Sequence, residues 1–167
     1  MAVALDTNVI SALAKPDCDE RVLRWARQFS SDELLLPAPC WAELRRGVEL
    51  LPAGRRRDAL SARLTSMVDA LGAVLPFGRA EADVYGELMA EPGRPRPTVD
   101  AMIAAICRTN DVPLATRNAR DFDGSGIELI DPLGLGRTPI QRAAWCRLDR
   151  RGADRPDAQE SLCGMSS

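Results

Sequence analysis

Four acidic residues stand where chemistry is available: Asp6, Glu43, Asp100 and Asp121. Asp6 ends the first apolar run, Ala2 to Leu5, at the edge where open parallel sheets bind ligands. Glu43 lies one turn into a helical pattern beside Trp41 and Leu44, and Asp100 opens the most apolar helix of the chain. Asp121 follows the fourth strand in Ala115-Thr116-Arg117-Asn118-Ala119-Arg120-Asp121-Phe122. Carboxylates a few ångströms apart repel and shift each other's pKa, a conflict that a divalent cation removes. Carboxylate oxygens without imidazole or thiolate favour a hard ion, Mg²⁺ or Mn²⁺, over zinc or copper. Such a centre can activate water and stabilise charge on a phosphodiester. Each acid also has an ordinary reading. Asp6 can cap the next helix, Asp100 suits the positive end of a helix dipole, Glu43 can be a solvated helix residue and Asp121 can cap a turn. Asp111 and Asp123, in turn-like contexts, keep the ordinary reading.

The rest of the composition narrows the chemistry. The 167 residues contain no histidine, which excludes Ser-His-Asp triads, Cys-His dyads, histidine acid–base pairs and histidine-ligated zinc or iron. The basic residues are arginines except for Lys15, and the net charge is −2. Arginine forks pair well with phosphate, so local clusters can serve nucleic acid even in an acidic chain. The five cysteines, at 18, 40, 107, 146 and 163, are odd in number and form no CxxC pair, which disfavours a disulfide or zinc framework. The start lacks a basic, long-apolar leader, and the uncharged stretch Leu34 to Ala42 is about half of what a membrane span needs. The expectation is a single-domain protein of a reducing cytoplasm, with no membrane partner.

Short apolar runs alternating with helical patterns predict an α/β domain with a mainly parallel sheet of about five short strands. Strands are expected at Ala2 to Leu5, Leu34 to Leu36, Ala73 to Phe77, Pro113 to Ala115 and Ile127 to Ile130. Helices are expected from Asn8 to Leu13, around Val22 to Phe29, from Pro39 toward Leu50, over Leu60 to Leu71 and around Val84 to Met89. The last, Val99 to Cys107, is capped by Thr98 and apolar all round, which places it in the core. Glu91 to Pro97, with three prolines, reads as a loop. The boundary is drawn at 133: residues 134–167 are polar and arginine-rich, with a weak helical patch at Ile140 to Leu148. They read as an extension outside the core, partly disordered or docked on a partner.

Four segments in series resemble the PIN-domain nucleases, and within them the VapC and FitB type toxins of bacterial toxin–antitoxin pairs. They are Leu5-Asp6-Thr7-Asn8-Val9-Ile10, Ala42-Glu43-Leu44-Arg45-Arg46-Gly47, Val99-Asp100-Ala101-Met102-Ile103-Ala104-Ala105 and Leu114 to Phe122, and they span residues 1 to about 133. The resemblance implies an α/β/α sandwich and a metal-dependent endoribonuclease. It assigns the acidic pocket for Mg²⁺ or Mn²⁺ to Asp6, Glu43, Asp100 and Asp121, with support from Thr7, Asn8, Thr116 and Asn118. It implies a homodimer and a small antitoxin as partners. Cys107-Arg108-Thr109-Asn110 replaces a stretch that often carries a histidine in relatives, and the extension has no part in the resemblance.

Asp6 and Asp100 are expected to be the central metal ligands, with Glu43 and Asp121 binding directly or through water. Arg45, Arg46 and Arg117 are nearest in sequence to the acids and are candidate RNA contacts, with Arg94 and Arg96 further off; the ordinary reading of each is a solvated charge. Two other functions stay open at this stage: a non-catalytic binding module of the same fold, and a nuclease directed at DNA.

Overall fold

The first strand, β1 (Val3–Leu5), is buried on both faces, as a central parallel strand must be. In the computed structural model, which describes residues 1–92 and 96–134, β1 is the middle of a five-stranded sheet. Its helices before the next strand are α1 (Thr7–Leu13) and α2 (Glu20–Ala26). Then come β2 (Leu34–Pro37), α3 (Ala38–Glu49), α4 (Arg55–Asp69), β3 (Ala73–Leu75), α5 (Arg79–Met89), α6 (Thr98–Thr109), β4 (Leu114–Ala115) and β5 (Leu129–Ile130). The order is β3-β2-β1-β4-β5 and every pairing is parallel. The fold is therefore the expected α/β type, with its sheet wholly rather than mainly parallel.

The patterns that predicted the helices also explain their packing. In α3 the buried residues Cys40, Leu44 and Val48 recur at i, i+4 and i+8, and Pro39 stands in the first turn, where its missing N–H costs nothing. In α6, Ala101 and the run Ile103 to Cys107 are buried, so this helix is the one closest to a core element. At about 25 cal/mol per Å² of apolar surface, each fully buried Leu or Ile of this core contributes roughly 2 kcal/mol.

Several boundaries differ from expectation. Strand β3 stops at Leu75 instead of Phe77, because Pro76 has no N–H to offer the ladder. Strands β4 and β5 begin one and two residues late, although the Pro113 and Glu128 carbonyls still accept bonds from Ala4 (2.8 Å) and Leu114 (2.7 Å). Thr98 does not cap α6: it is the first helical residue, Pro97 precedes it, and no side chain caps that end. Asp111 has φ 50°, the left-handed turn after α6 that aspartate tolerates, in line with its ordinary reading. Arg94 and the helical patch at 140–148 lie outside the described residues. Among the described residues no helix is long and apolar enough to cross a membrane.

Candidate active site

Asp6 is where strand becomes helix, and its carboxylate serves both sides. Its Oδ1 accepts the Thr7 N–H at 2.7 Å, capping α1. Its Oδ2 accepts the Asn8 side-chain amide at 2.5 Å and the Thr116 hydroxyl at 2.6 Å. Thr116 is buried and comes from the residue after β4, so this bond ties together the ends of two adjacent strands. Thr116 Oγ1 in turn accepts from Asn8 (3.2 Å) and from the Asn118 N–H (3.0 Å), while Asn8 Oδ1 accepts the Arg117 N–H at 3.1 Å. The cap reading of Asp6 is correct, and the same carboxylate also faces Thr116 and Asn8.

The other three acids arrive from three further elements. Glu43 projects from α3 and accepts the Thr7 hydroxyl at 2.6 Å. Asp121 sits in a short 3-10 turn, Ala119–Phe122, and accepts from the Asn118 side chain. Asp100, half-buried in the first turn of α6, has no hydrogen-bond or ion-pair partner among the described residues. Burial, and then the negative charges of Asp121, Asp6 and Glu43, push its pKa up to about 6. Burial likewise raises Asp6; the bonds from Thr116 and Thr7 oppose this, and the charges of Glu43 and Asp121 add to it. Asp100 thus feels the field of the other three acids, and Asp6 that of Glu43 and Asp121.

The donor set fits a hard cation. All four groups offer oxygen, and the nearby thiols do not compete: burial pushes Cys40 up to about 12 and raises Cys107 as well, so both stay protonated. Asp6 accepts three hydrogen bonds where a carboxylate has about four acceptor positions, so capacity remains. Among the described residues, no three His, Cys, Asp or Glu side chains stand as a group that could hold a metal ion as they are placed.

The arginines divide. Arg46 and Arg117 are exposed. Arg45 turns away to α4: it donates to Ser61 Oγ at 2.8 Å, pairs with Glu49 at 3.2 Å and lies 5.7 Å from the Trp41 ring centre. Arg96 has a buried side chain 3.4 Å from Glu91, and its Nε has no hydrogen-bond partner among the described residues. A feature the sequence reading missed is a groove of about 670 Å³ between α1, α3 and α4. It starts at Thr7 and Glu43, has a floor that includes Leu44, Leu60 and Leu64, and is edged by Lys15, Arg56 and Arg63. Its signal was the small residues Ser11 and Gly47, four positions after Thr7 and Glu43 on two facing helices.

Residues 3–124 match the PIN domain family. The chain belongs to the PIN-domain family. Within it, the chain is 38% identical over 135 residues to the VapC ribonuclease Y4jK of Sinorhizobium fredii, covering 78% of this chain and 96% of that one. It is 32% identical over 135 residues to Toxin FitB of Neisseria gonorrhoeae, with 78% and 97% covered. A chain in the structure of FitAB bound to an IR36 DNA fragment superposes with a TM-score of 0.74 at 30% identity, covering 81% of this chain and 99% of that one. Nearly the whole of each relative thus fits on about four-fifths of this PIN protein.

Proposed function

We propose that this PIN domain is a metal-dependent endoribonuclease that hydrolyses RNA phosphodiester bonds as the toxin of a toxin–antitoxin pair. The observation that carries this reading is the convergence of Asp6, Glu43, Asp100 and Asp121 at the carboxyl edge of an all-parallel sheet. Its relatives, a VapC ribonuclease and the toxin FitB, support the substrate and the role.

Mg²⁺ or Mn²⁺ would be held by Asp6 and Asp100, with Glu43 and Asp121 completing the set. When bound, the cation would supply Lewis-acid activation of water and stabilise charge developing on the phosphodiester. The chain's own residues then have distinct tasks. Thr116, Asn8 and the Thr7 N–H fix the Asp6 carboxylate in orientation. The Thr7 hydroxyl holds Glu43, and Asn118 holds Asp121. Among the described residues Asp100 has no such brace, and its raised pKa means that a proton competes with a cation for it near pH 6. Arg46 and Arg117 remain as rim cations for RNA; Arg45 is committed to α4.

The partner is a small cognate antitoxin, a reading supported by a structural relative from Mycobacterium tuberculosis described as a member of the VapBC family of toxin–antitoxin systems. The groove beside Thr7 and Glu43, aliphatic in its floor and cationic at its rim, suits an apolar helix with acidic flanks. A homodimer working in the cytoplasm completes the reading.

The test is cleavage of an RNA oligonucleotide and of a DNA oligonucleotide of the same sequence, with Mg²⁺, with Mn²⁺ and with EDTA. The wild type should cut RNA only with metal, and Asp6→Asn and Asp100→Asn should each lose at least about 100-fold. Undiminished cleavage in EDTA or in both variants would sink the mechanism, and cleavage of DNA alone would replace the substrate. Growth arrest on expression, relieved by the adjacent small gene product, checks the toxin role; harmless expression of the wild type would instead favour the binding module.

A further inference from the structure

A polymer cut in its middle must leave the catalytic pocket on both sides, and this pocket repels phosphate until a cation fills it. Asp6, Glu43, Asp100 and Asp121 are all acidic, and residues 1–134 as a whole hold 16 basic against 20 acidic side chains. Nucleic-acid affinity comes chiefly from neutralised phosphates, so the strand must find its cations beside the pocket.

The cations gather on one helical hairpin. Residues 45–63, the later part of α3 and the first part of α4, carry six arginines against Glu49 and Asp58. Arg45 and Arg57 are both taken up by Glu49. Arg56 and Arg63 are exposed and have no ion-pair partner among the described residues, and the same is true of Lys15, just past the end of α1. All three line the groove that starts at Thr7 and Glu43. Arg56, Leu60, Arg63 and Leu64 fall at i, i+4, i+7 and i+8 on one face of α4, which sets the two cations about 10 Å apart along one edge of the groove. Lys15 lines it from the α1 side. Because Glu43 belongs both to the acidic pocket and to the groove, this cationic edge leads directly out of the site.

We propose that Lys15, Arg56 and Arg63 form a phosphate track that carries the backbone of single-stranded RNA away from the bond to be cut. A flexible single strand can follow cations set on two walls of a groove. Its phosphates ride on the rim and do not need the aliphatic floor. An antitoxin helix with acidic flanks seated in the same groove would cover the same three cations, and so would exclude RNA. The inference rests on the ribonuclease reading for its substrate and adds residues that recruit it.

The experiment uses the full chain in EDTA, where no cleavage or metal bridging occurs, and reads binding of a fluorescent unstructured RNA 20-mer across a NaCl titration. The triple variant Lys15→Gln, Arg56→Gln, Arg63→Gln should bind at least tenfold more weakly near 0.1 M salt, with the log–log salt slope flattened by about 2. Arg56→Lys with Arg63→Lys should bind within a few-fold of wild type. A control with the same change of charge, Arg24→Gln, Arg27→Gln, Arg79→Gln, removes three exposed arginines that do not line the groove and should also bind within a few-fold. Unchanged melting temperatures keep the comparison to binding. Wild-type affinity and slope in the groove variant overturn the track, and so does an equal loss in the control, which would make the effect one of net charge. A larger loss on duplex DNA of the same sequence overturns it too. In each of those cases RNA cleavage with Mn²⁺ would leave the ribonuclease reading intact. Groove-dependent RNA binding by a wild type that cleaves nothing with Mn²⁺ leaves the track standing and defeats the nuclease reading instead.

Discussion

Asp6 owes its position to one threonine as much as to its own place in the chain. Thr116 donates to Asp6 and accepts from Asn8 and Asn118, so one buried hydroxyl serves three partners. Thr116→Val keeps the shape and removes that hub, and should cost roughly 1 to 3 kcal/mol of stability, the usual penalty for stranding buried polar groups. It should also raise the Mn²⁺ concentration needed for half-maximal cleavage, whereas Thr116→Ser should restore most of both; equal melting temperatures for Val and wild type would remove the hub from the account. Asp100 makes a prediction of opposite character. Its folded pKa of about 6 lies above the ordinary 3.8, so protonation favours the folded chain. That contribution is full below about pH 4 and disappears as pH rises through 6, and the raised Asp6 acts in the same direction. Asp19 and Glu33, lowered to about 2, act oppositely but only below about pH 4. Melting in EDTA should therefore occur at a lower temperature at pH 7.5 than at pH 5, and Asp100→Asn should shrink the difference. All four acids stood out in the sequence by position: Asp6 and Asp121 after strands, Asp100 at a helix start and Glu43 one turn into a helix. That Thr116 would hold Asp6 was legible only through resemblance, because the two residues are 110 positions apart and no local pattern joins them.

At the scale of elements, the groove depends on α1 and α3 presenting small residues toward α4. Gly47 lies inside α3, and a Cβ added there would meet nothing within 4 Å. Gly47→Ala should then stabilise the domain by about 0.5 to 1 kcal/mol, the difference in helix propensity, and leave cleavage unchanged. Gly47→Trp should fill the groove and weaken the antitoxin complex at least tenfold, also with cleavage retained; intact affinity in a binding titration would place the antitoxin elsewhere. The helices themselves were readable from the 3.6-residue pattern, as the buried series Cys40, Leu44 and Val48 shows. Their ends were less so: β3 yields to Pro76 earlier than its apolar run suggests, and α6 starts on an uncapped Thr98. Arg45 shows why side-chain roles resist such reading. Its nearness in sequence to Glu43 says rim, but Ser61 of α4 and Glu49, one turn further along α3, hold it instead.

For the whole molecule, the parallel sheet does most of the functional work by delivering the ends of β1 and β4 to one edge, where α3 and α6 contribute Glu43 and Asp100. The alternation of apolar runs and helical patterns made that architecture legible, since parallel strands need crossovers. The strand order was not, because nothing local states that β4 returns beside β1. The cost of the arrangement is a concentrated negative charge, which the hydrogen bonds from Thr116 and Thr7 ease at Asp6, while burial and the neighbouring acids push the Asp100 pKa up to about 6. A cation that binds only the assembled site must then stabilise the whole domain. At 100 times its dissociation constant, one such ion adds about 2.7 kcal/mol. For a domain of this size that corresponds to a rise of roughly 5 to 10 °C in melting temperature. The rise should be larger at pH 7.5 than at pH 5, where protons occupy the same carboxylates, and should vanish in the Asp6→Asn, Asp100→Asn double variant. Differential scanning calorimetry with Mn²⁺ reads all three outcomes. A full Mn²⁺ shift in the double variant would mean that the ion binds elsewhere, and that the four acids meet for a reason other than metal.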